Sequence, residues 1–219
     1  SDFAAAEFRD RGLGERIRLV PLGVDLTTFV PSAKPSNTNE LSVVMCGRLS
    51  PEKQTGLAVR GFMELLARRS ARLTVIGDGP QRGDLENLAG NLPITFRGFV
   101  PDPAEISRTI AASDVALNLG PIETFGLATL ESLACGVPVV VSLDGGSREI
   151  ITDDCGRAVA ADPRVVALAI EDLASIPREM RQKAARSRAE LFPWSATASS
   201  LLAIYEQLSP RRRFAGIGA

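Results

Sequence analysis

Two acidic residues, Glu123 and Glu131, interrupt the small and apolar stretch GPIETFGLATLESLACGVPVVVS, and two cations, Arg48 and Lys53, stand close together in GRLSPEK. A carboxylate accepts paired hydrogen bonds from neighbouring hydroxyls, which is how proteins hold vicinal diols. Arginine grips a phosphate through two parallel hydrogen bonds and lysine acts as a compact point charge, so the two cations suit a diphosphate. A helix expected from about Phe125 places Glu123 in the preceding loop and Glu131 about two turns inside, roughly 12 Å further along the axis. A glycosidase acid/base pair needs a separation of roughly 5 to 9.5 Å. The spacing therefore favours two separate grips on one long polar ligand, with a sugar at one end, a ribose at the other and phosphates between. The segment TFGL adds free backbone amides at the helix start, aimed at negative charge.

Composition narrows the chemistry further. The chain has 219 residues, 45% of them hydrophobic, enough for one substantial core with or without an appendage. Lys and Arg number 25 against 26 Asp and Glu, so nucleic acid is not an expected partner. Histidine is absent, which removes the commonest general base and the commonest metal ligand. Cys46, Cys135 and Cys155 read as buried free thiols, and no residues have metal-ligand spacing. The apolar runs are short and the first residues, SDFAAAEFRDRG, are charged. A cytoplasmic protein is expected, with peripheral contact to a membrane left open.

The elements that would position these residues follow a regular alternation. RIRLV reads as a short strand and PLGVDLTTFVPSAKPSNTN as a linker. LSVVMCG, RLTVIGDG, ITFRGFV and DVALNLG read as strands followed by helices over 52–69, 81–89, 104–112 and 125–135. VPVVVS is a further strand, the remainder reads as helices, and PRRRFAGIGA as a frayed end. Apolar strands alternating with amphipathic helices predict an α/β fold, a doubly wound parallel sheet of Rossmann type covered on both faces. Ligands of such sheets bind beyond the carboxyl ends of the strands.

Four turns occupy that position. Gly47 ends the first strand and allows close backbone approach; Arg48 and Lys53 bracket the next helix start, where two solvated surface cations are the alternative reading. Gly77 and Asp78 lie in GDGP, which a plain turn also explains. Phe99 and Val100 expose backbone that suits a base edge, and Asp102 could accept from guanine N1 and N2 or cap a helix. The fourth turn carries Glu123. No GxxxxGK[ST] occurs, and no GxGxxG follows the first strand.

Taken together, GPIETFGLATLESLACGVPVVVS resembles the Glu-x7-Glu motif of retaining glycosyltransferases of the GT-B fold, in the large glycosyltransferase family 4. GRLSPEK, VIGDGP, FRGFV, AASDVALN and GGSREII appear in that family's order, and VPLGVDLTTFVP looks like its interdomain segment. The resemblance covers nearly the whole chain but only the C-terminal, donor-binding half of such enzymes. It implies residues 1–37 as an N-terminal helix, strand and interdomain linker, 38–190 as the nucleotide-sugar-binding domain, and 191–219 as a helix and tail returning to an N-terminal acceptor-binding domain absent here. It implies Arg48, Lys53 and Glu123 as catalytic residues. Arg48 and Lys53 would hold the donor diphosphate, Glu123 the sugar hydroxyls and Glu131 the ribose. The amides of Phe125, Gly126 and Leu127 would meet sugar and phosphates, Phe99 and Val100 would flank the base, and Gly23 would line the cleft; Gly47, Gly77, Asp78 and Asp102 complete the donor site.

The implied reaction is transfer of a hexose from a GDP- or UDP-linked sugar to a hydroxyl of a glycan, lipid or metabolite, with retention. Asp102 and GPIETFG resemble actinobacterial mannosyltransferases and favour GDP-mannose. No cofactor and no metal are expected, because the chain has no Asp-x-Asp and the two cations act as the charge sink. The alternatives are a nucleotide-sugar epimerase of the related type and a non-catalytic nucleotide-binding module. This half alone is expected to bind nucleotide weakly and to transfer poorly. Three departures from the family pattern stand out: Leu22 replaces an asparagine, NLGPIE replaces a Pro-Ser pair, and Gln54 replaces a glycine after the lysine.

Overall fold

A computed structural model describes residues 1–32 and 40–208 of the chain. The described residues form a parallel sheet of six strands: β1 Leu41–Cys46, β2 Ala71–Ile76, β3 Ile94–Gly98, β4 Val115–Asn118, β5 Val139–Ser142 and β6 Gly156–Val159. Their order across the sheet is β3-β2-β1-β4-β5-β6. The chain thus works outward to one edge, returns to the middle and works outward to the other, so the order reverses between β1 and β4. The helices are α1 Asp2–Asp10, α2 Thr55–Leu66, α3 Arg82–Ala89, α4 Pro103–Ala111, α5 Leu127–Ala134, α6 Ser147–Ile150, α7 Pro163–Ser175, α8 Arg178–Ala189 and α9 Trp194–Leu208.

Side chains alternate across the strands and fill two apolar layers. Leu41, Val43 and Met45 of β1 join Phe62, Leu65, Leu85 and Ile170 beneath α2, α3 and α7. Val44 faces the other way, among Ile110, Leu130, Leu133, Ile150 and Ala185 of α4, α5, α6 and α8. Local chemistry sets several helix starts. Asp102 accepts from the Ala104 amide at 2.9 Å, Asp162 accepts from Arg164 and Val165, and a proline occupies the first turn of both α4 and α7.

At the amino end of the sheet, Asp114 joins three elements. Its amide donates to the Ser42 carbonyl at 2.7 Å, its Oδ2 accepts from the Ser42 amide at 2.9 Å, and its Oδ1 accepts from Arg181 Nη2 at 2.8 Å. Both side chains are almost out of solvent, so α8 is fixed to β1 and β4 by a buried charge pair. Burial pulls the Arg181 guanidinium below its ordinary range, against the opposing pull of Asp114.

The structure departs from the sequence reading in four places. Ile17–Val20 joins no sheet, because strand-forming residues need a neighbour, and the nearest pairing is an isolated bridge between Val24 and Pro193. Residues Gly156–Val159, read as helical, form the edge strand β6, where Gly156 and Arg157 obscure the apolar pattern. A 3-10 turn at Pro51–Lys53 precedes α2, and Gln54 then adopts φ 50°, the one positive φ at a non-glycine among the described residues. Helix α5 begins at Leu127, two residues later than expected, which puts Glu131 about one turn inside it. Residues 33–39 of the linker and the whole tail PRRRFAGIGA lie outside the described residues.

Two stability changes follow. Asp114→Ala strands Arg181 as a buried charge and is expected to cost about 3–5 kcal/mol in urea unfolding. Gln54→Gly relieves a left-handed backbone that a side chain disfavours and is expected to add about 0.5–1 kcal/mol in the same assay.

Candidate functional site

The predicted residues gather at the carboxyl ends of β1 to β4, around the point where strand order reverses, which is where open α/β sheets form their ligand crevice. The loops after β1, β2 and β3 are laced together by backbone. The Gly47 amide donates to the Ile76 carbonyl at 2.9 Å, the Gly77 amide to Gly98 at 2.8 Å, and the Leu49 amide to Asp78 at 3.0 Å. A Cβ on Gly77 would stand 2.0 Å from the Gly47 carbonyl oxygen, and one on Gly79 2.4 Å from that of Leu49. Only glycine permits this approach. Around Gly47 itself a Cβ would meet nothing within 4 Å, so that backbone faces open space.

Across the reversal, Lys53 Nζ donates to Glu123 Oε2 at 2.5 Å, joining the loop after β1 to the loop after β4. Lys53 is brought there because Gly120 has no side chain: a Cβ would stand 3.0 Å from the Glu52 carbonyl oxygen and 3.5 Å from Lys53 Cα. Arg48 is exposed beside this pair and makes no ion pair. Glu52 lies among the cations; its carboxyl is lowered mainly by the Ser50 hydroxyl, with Arg48 and Lys53 contributing less. Helix α5 points its start at the same loop. Gly126 has φ 104°, no side chain caps the helix, and the Phe125 ring is anchored edge-on against Phe192 at 6.4 Å. The first amides of α5 remain available to an anion.

Glu131, one turn further, is half-buried, and among the described residues no hydrogen bond or ion pair involves its carboxyl. Burial alone pushes it up to about 7. Its field and its own desolvation raise the Cys46 thiol at the end of β1 to about 12, desolvation being the larger cause, so Cys46 is a neutral, unreactive neighbour. An acid held out of water without a partner is costly to keep unless something pairs with it.

The other predicted residues divide. Phe99 is 77% exposed at the rim and Val100 is half-buried beside it. Asp78 is engaged locally, accepting from the Gly79 amide at 2.7 Å and from Arg82 at 3.0 Å. Asp102 is the α4 cap, with Arg108 3.6 Å from its second oxygen. Gly23 is buried, and a Cβ there would lie 2.5 Å from Trp194 Cα, so packing against the start of α9 requires a glycine. Sequence reasoning passed over Asn118, Thr129 and the Gly145–Ser147 turn, which underlie the Glu123 loop. A lone polar residue inside the apolar strand VALNLG was the available signal for Asn118.

Comparison with known proteins agrees with this geometry. The profile of the family described as Glycosyl transferases group 1 matches residues 40–175. The chain is 43% identical over 209 residues to the GDP-mannose-dependent alpha-(1-6)-phosphatidylinositol dimannoside mannosyltransferase of Mycobacterium tuberculosis, covering 92% of this chain and 55% of the relative. It therefore spans about half the length of the curated relatives it matches. Among solved structures, Anabaena HepE in complex with UDP and glucose superposes with a TM-score of 0.80 at 19% identity, over 93% of this chain and 60% of that one. The C-terminal domain of a group 1 family glycosyl transferase from Francisella tularensis matches with a TM-score of 0.63 at 24% identity, over 82% of this chain and 98% of that domain.

The raised pKa of Glu131 gives a pH signature. Its folded value lies above the unfolded one, so the charged form opposes folding: stability is expected to fall as pH rises from about 4.5 toward about 7 and then level. Thermal melts of Glu131→Gln should lack that loss, gaining about 2 kcal/mol at pH 8, partial exposure keeping the figure below that of a fully buried charge.

Proposed function

Because the chain belongs to the Glycosyl transferases group 1 family, we propose that it is the donor-binding half of a retaining glycosyltransferase that moves a hexose from a nucleoside-diphosphate sugar, preferentially GDP-mannose, to a hydroxyl acceptor. The single observation that carries this reading is the Lys53–Glu123 contact across the strand-order reversal, with Arg48 and the uncapped start of α5 beside it and the unpartnered Glu131 one helical turn away. In this reading Arg48, Lys53 and the α5 amides hold the diphosphate, Glu123 the sugar hydroxyls and Glu131, once ionised, the ribose diol. Phe99 and Val100 pack on the base, and Asp102, already spent on its cap, adds little. The 43% identity to a relative named for GDP-mannose supports the choice of donor.

Chemistry at the anomeric carbon leaves negative charge on the departing diphosphate. Pre-oriented cations and helix amides stabilise that charge more in the transition state than in the ground state, and each such group is typically worth about 3–4 kcal/mol. Two cations placed this way do what a divalent ion does elsewhere, so we propose that no metal is required. Glu123 accepts from Lys53 and exchanges that contact for sugar hydroxyls when donor binds. The acceptor would be held by a second half, consistent with the chain's spanning about half of its relatives and with the exposed Trp194, Leu202, Tyr205 and Leu208 along α9. Residues 1–37 and 191–219 would join the halves. Among the described residues no helix is long and apolar enough to cross a membrane.

Calorimetry and melting shifts with GDP, UDP and ADP test the reading on this chain. GDP is expected to bind and to raise the melting temperature. Arg48→Ala and Lys53→Ala should each weaken GDP binding about tenfold or more while leaving the unliganded melt within a few degrees, as for loss of a charge-assisted phosphate contact. If no nucleoside diphosphate shifts the melt, or if neither substitution alters affinity, the assignment is wrong.

A further inference from the structure

The GGSRE turn between β5 and α6 takes no part in the chemistry above, yet the Glu123 loop rests on it. The Gly146 amide donates to the Glu123 carbonyl at 2.6 Å. A Cβ on Gly146 would stand 2.4 Å from the Thr124 carbonyl oxygen, one on Gly145 2.9 Å from that of Pro121, and one on Gly126 2.2 Å from Ser147 Oγ. Loop and turn are therefore in backbone contact along their length, with no room for a side chain between them.

Asn118 ties this layer to the sheet. It is the last residue of β4, 8% exposed, and the polar member of an otherwise apolar run. Its Nδ2 donates to Thr129 Oγ1 in α5 at 2.8 Å and approaches Ser147 Oγ, the first residue of α6, at 3.3 Å. One amide thus links the strand end, the helix whose start faces the loop, and the turn beneath the loop. A buried amide is retained at a cost unless its partners are in place, so the three elements are held at one spacing.

We propose that Asn118 is a positioning residue for the sugar end of the donor site. Through Ser147 and Thr129 it fixes the Glu123 loop against the start of α5, whereas the loops after β1 and β3, which carry Arg48, Phe99 and Val100 at the nucleotide end, receive no hydrogen bond from its side chain among the described residues. The proposal rests on the donor-binding reading for its ligand but not for its mechanical part.

The test compares Asn118→Leu, which keeps the volume and removes the donors, with Thr129→Val, which removes one acceptor, and Thr129→Ser, which retains it. In the free chain, amide hydrogen exchange across residues 120–128 and 145–148 is expected to accelerate about tenfold or more in Asn118→Leu and Thr129→Val, with β1 and β2 still protected and Thr129→Ser close to wild type. Calorimetry with GDP and GDP-mannose reads the second part: the sugar-bearing ligand should lose about tenfold more affinity than GDP in the same two variants, and Thr129→Ser should keep the wild-type ratio. A merely structural residue would lower the melting temperature and weaken both ligands alike. That result, or unchanged exchange over the loop, overturns the proposal. Should the wild-type chain bind neither nucleotide, the donor reading fails, and the exchange comparison still decides whether Asn118 holds the loop. If Asn118→Leu does not fold, the Thr129 pair carries both measurements.

Discussion

A parallel sheet whose strand order turns back on itself cannot close its carboxyl edge at the turning point, because the connections on either side leave in opposite directions. Here that point lies between β1 and β4. Most of the residues proposed to hold the donor are arranged around the resulting gap. The loops after β1, β2 and β3 are pulled into one surface by glycine-to-glycine backbone contacts, and the loop after β4 faces them from the other side. The Lys53–Glu123 ion pair spans the gap. The opposite edge of the same sheet is fixed by the buried Asp114–Arg181 pair. One strand, β4, therefore begins at the rigid anchor and ends at the site, so the place of the Glu123 loop is set by a strand that is itself tied down.

Electrostatics in the gap is a balance of opposites rather than a field of one sign. Arg48 and Lys53 lie near Glu52, and Lys53 pairs with Glu123, so cations and carboxylates are interspersed there. What distinguishes these charges is how well each is satisfied. Glu123 has a cation, Glu52 has the Ser50 hydroxyl, and Glu131 has neither and is driven toward its neutral form by burial. The group with the least to lose by acquiring a hydroxyl partner is the one deepest in the helix, which is a physical reason to place a diol there.

Much of this could be read in the sequence. Runs such as LSVVMCG and RLTVIGDG, alternating with amphipathic segments, gave five strands and four intervening helices close to their observed places, because burial on both faces leaves a continuous apolar signature. Chemistry-bearing residues were found because they follow strand ends. What escaped were features decided by partners distant in sequence. Ile17–Val20 has the residue types of a strand and no neighbour to pair with; Gly156–Val159 lacks those types and is a strand because β5 pairs with it. Lys53 and Glu123 are 70 residues apart and were assigned to neighbouring parts of a ligand, its diphosphate and its sugar; their direct contact is what the fold adds. Asn118 ends the segment AASDVALN but was given no role there, because the two hydroxyls it bonds are brought near only by the fold.

The first thirty residues have a looser relation to the rest. Glu149 accepts from the Asp2 and Phe3 amides at the start of α1, and Ser1 reaches the Thr124 carbonyl. From Pro21 onward the segment is held again: Thr197 donates to the Pro21 carbonyl, the Val24 amide to Phe192, and Arg186 to the Leu26 and Phe29 carbonyls, with Val24 and Phe29 in the core. Between these two stretches no residue enters the sheet. The segment is a strap fastened at both ends, and one fastening lies on the very loop that bears Glu123.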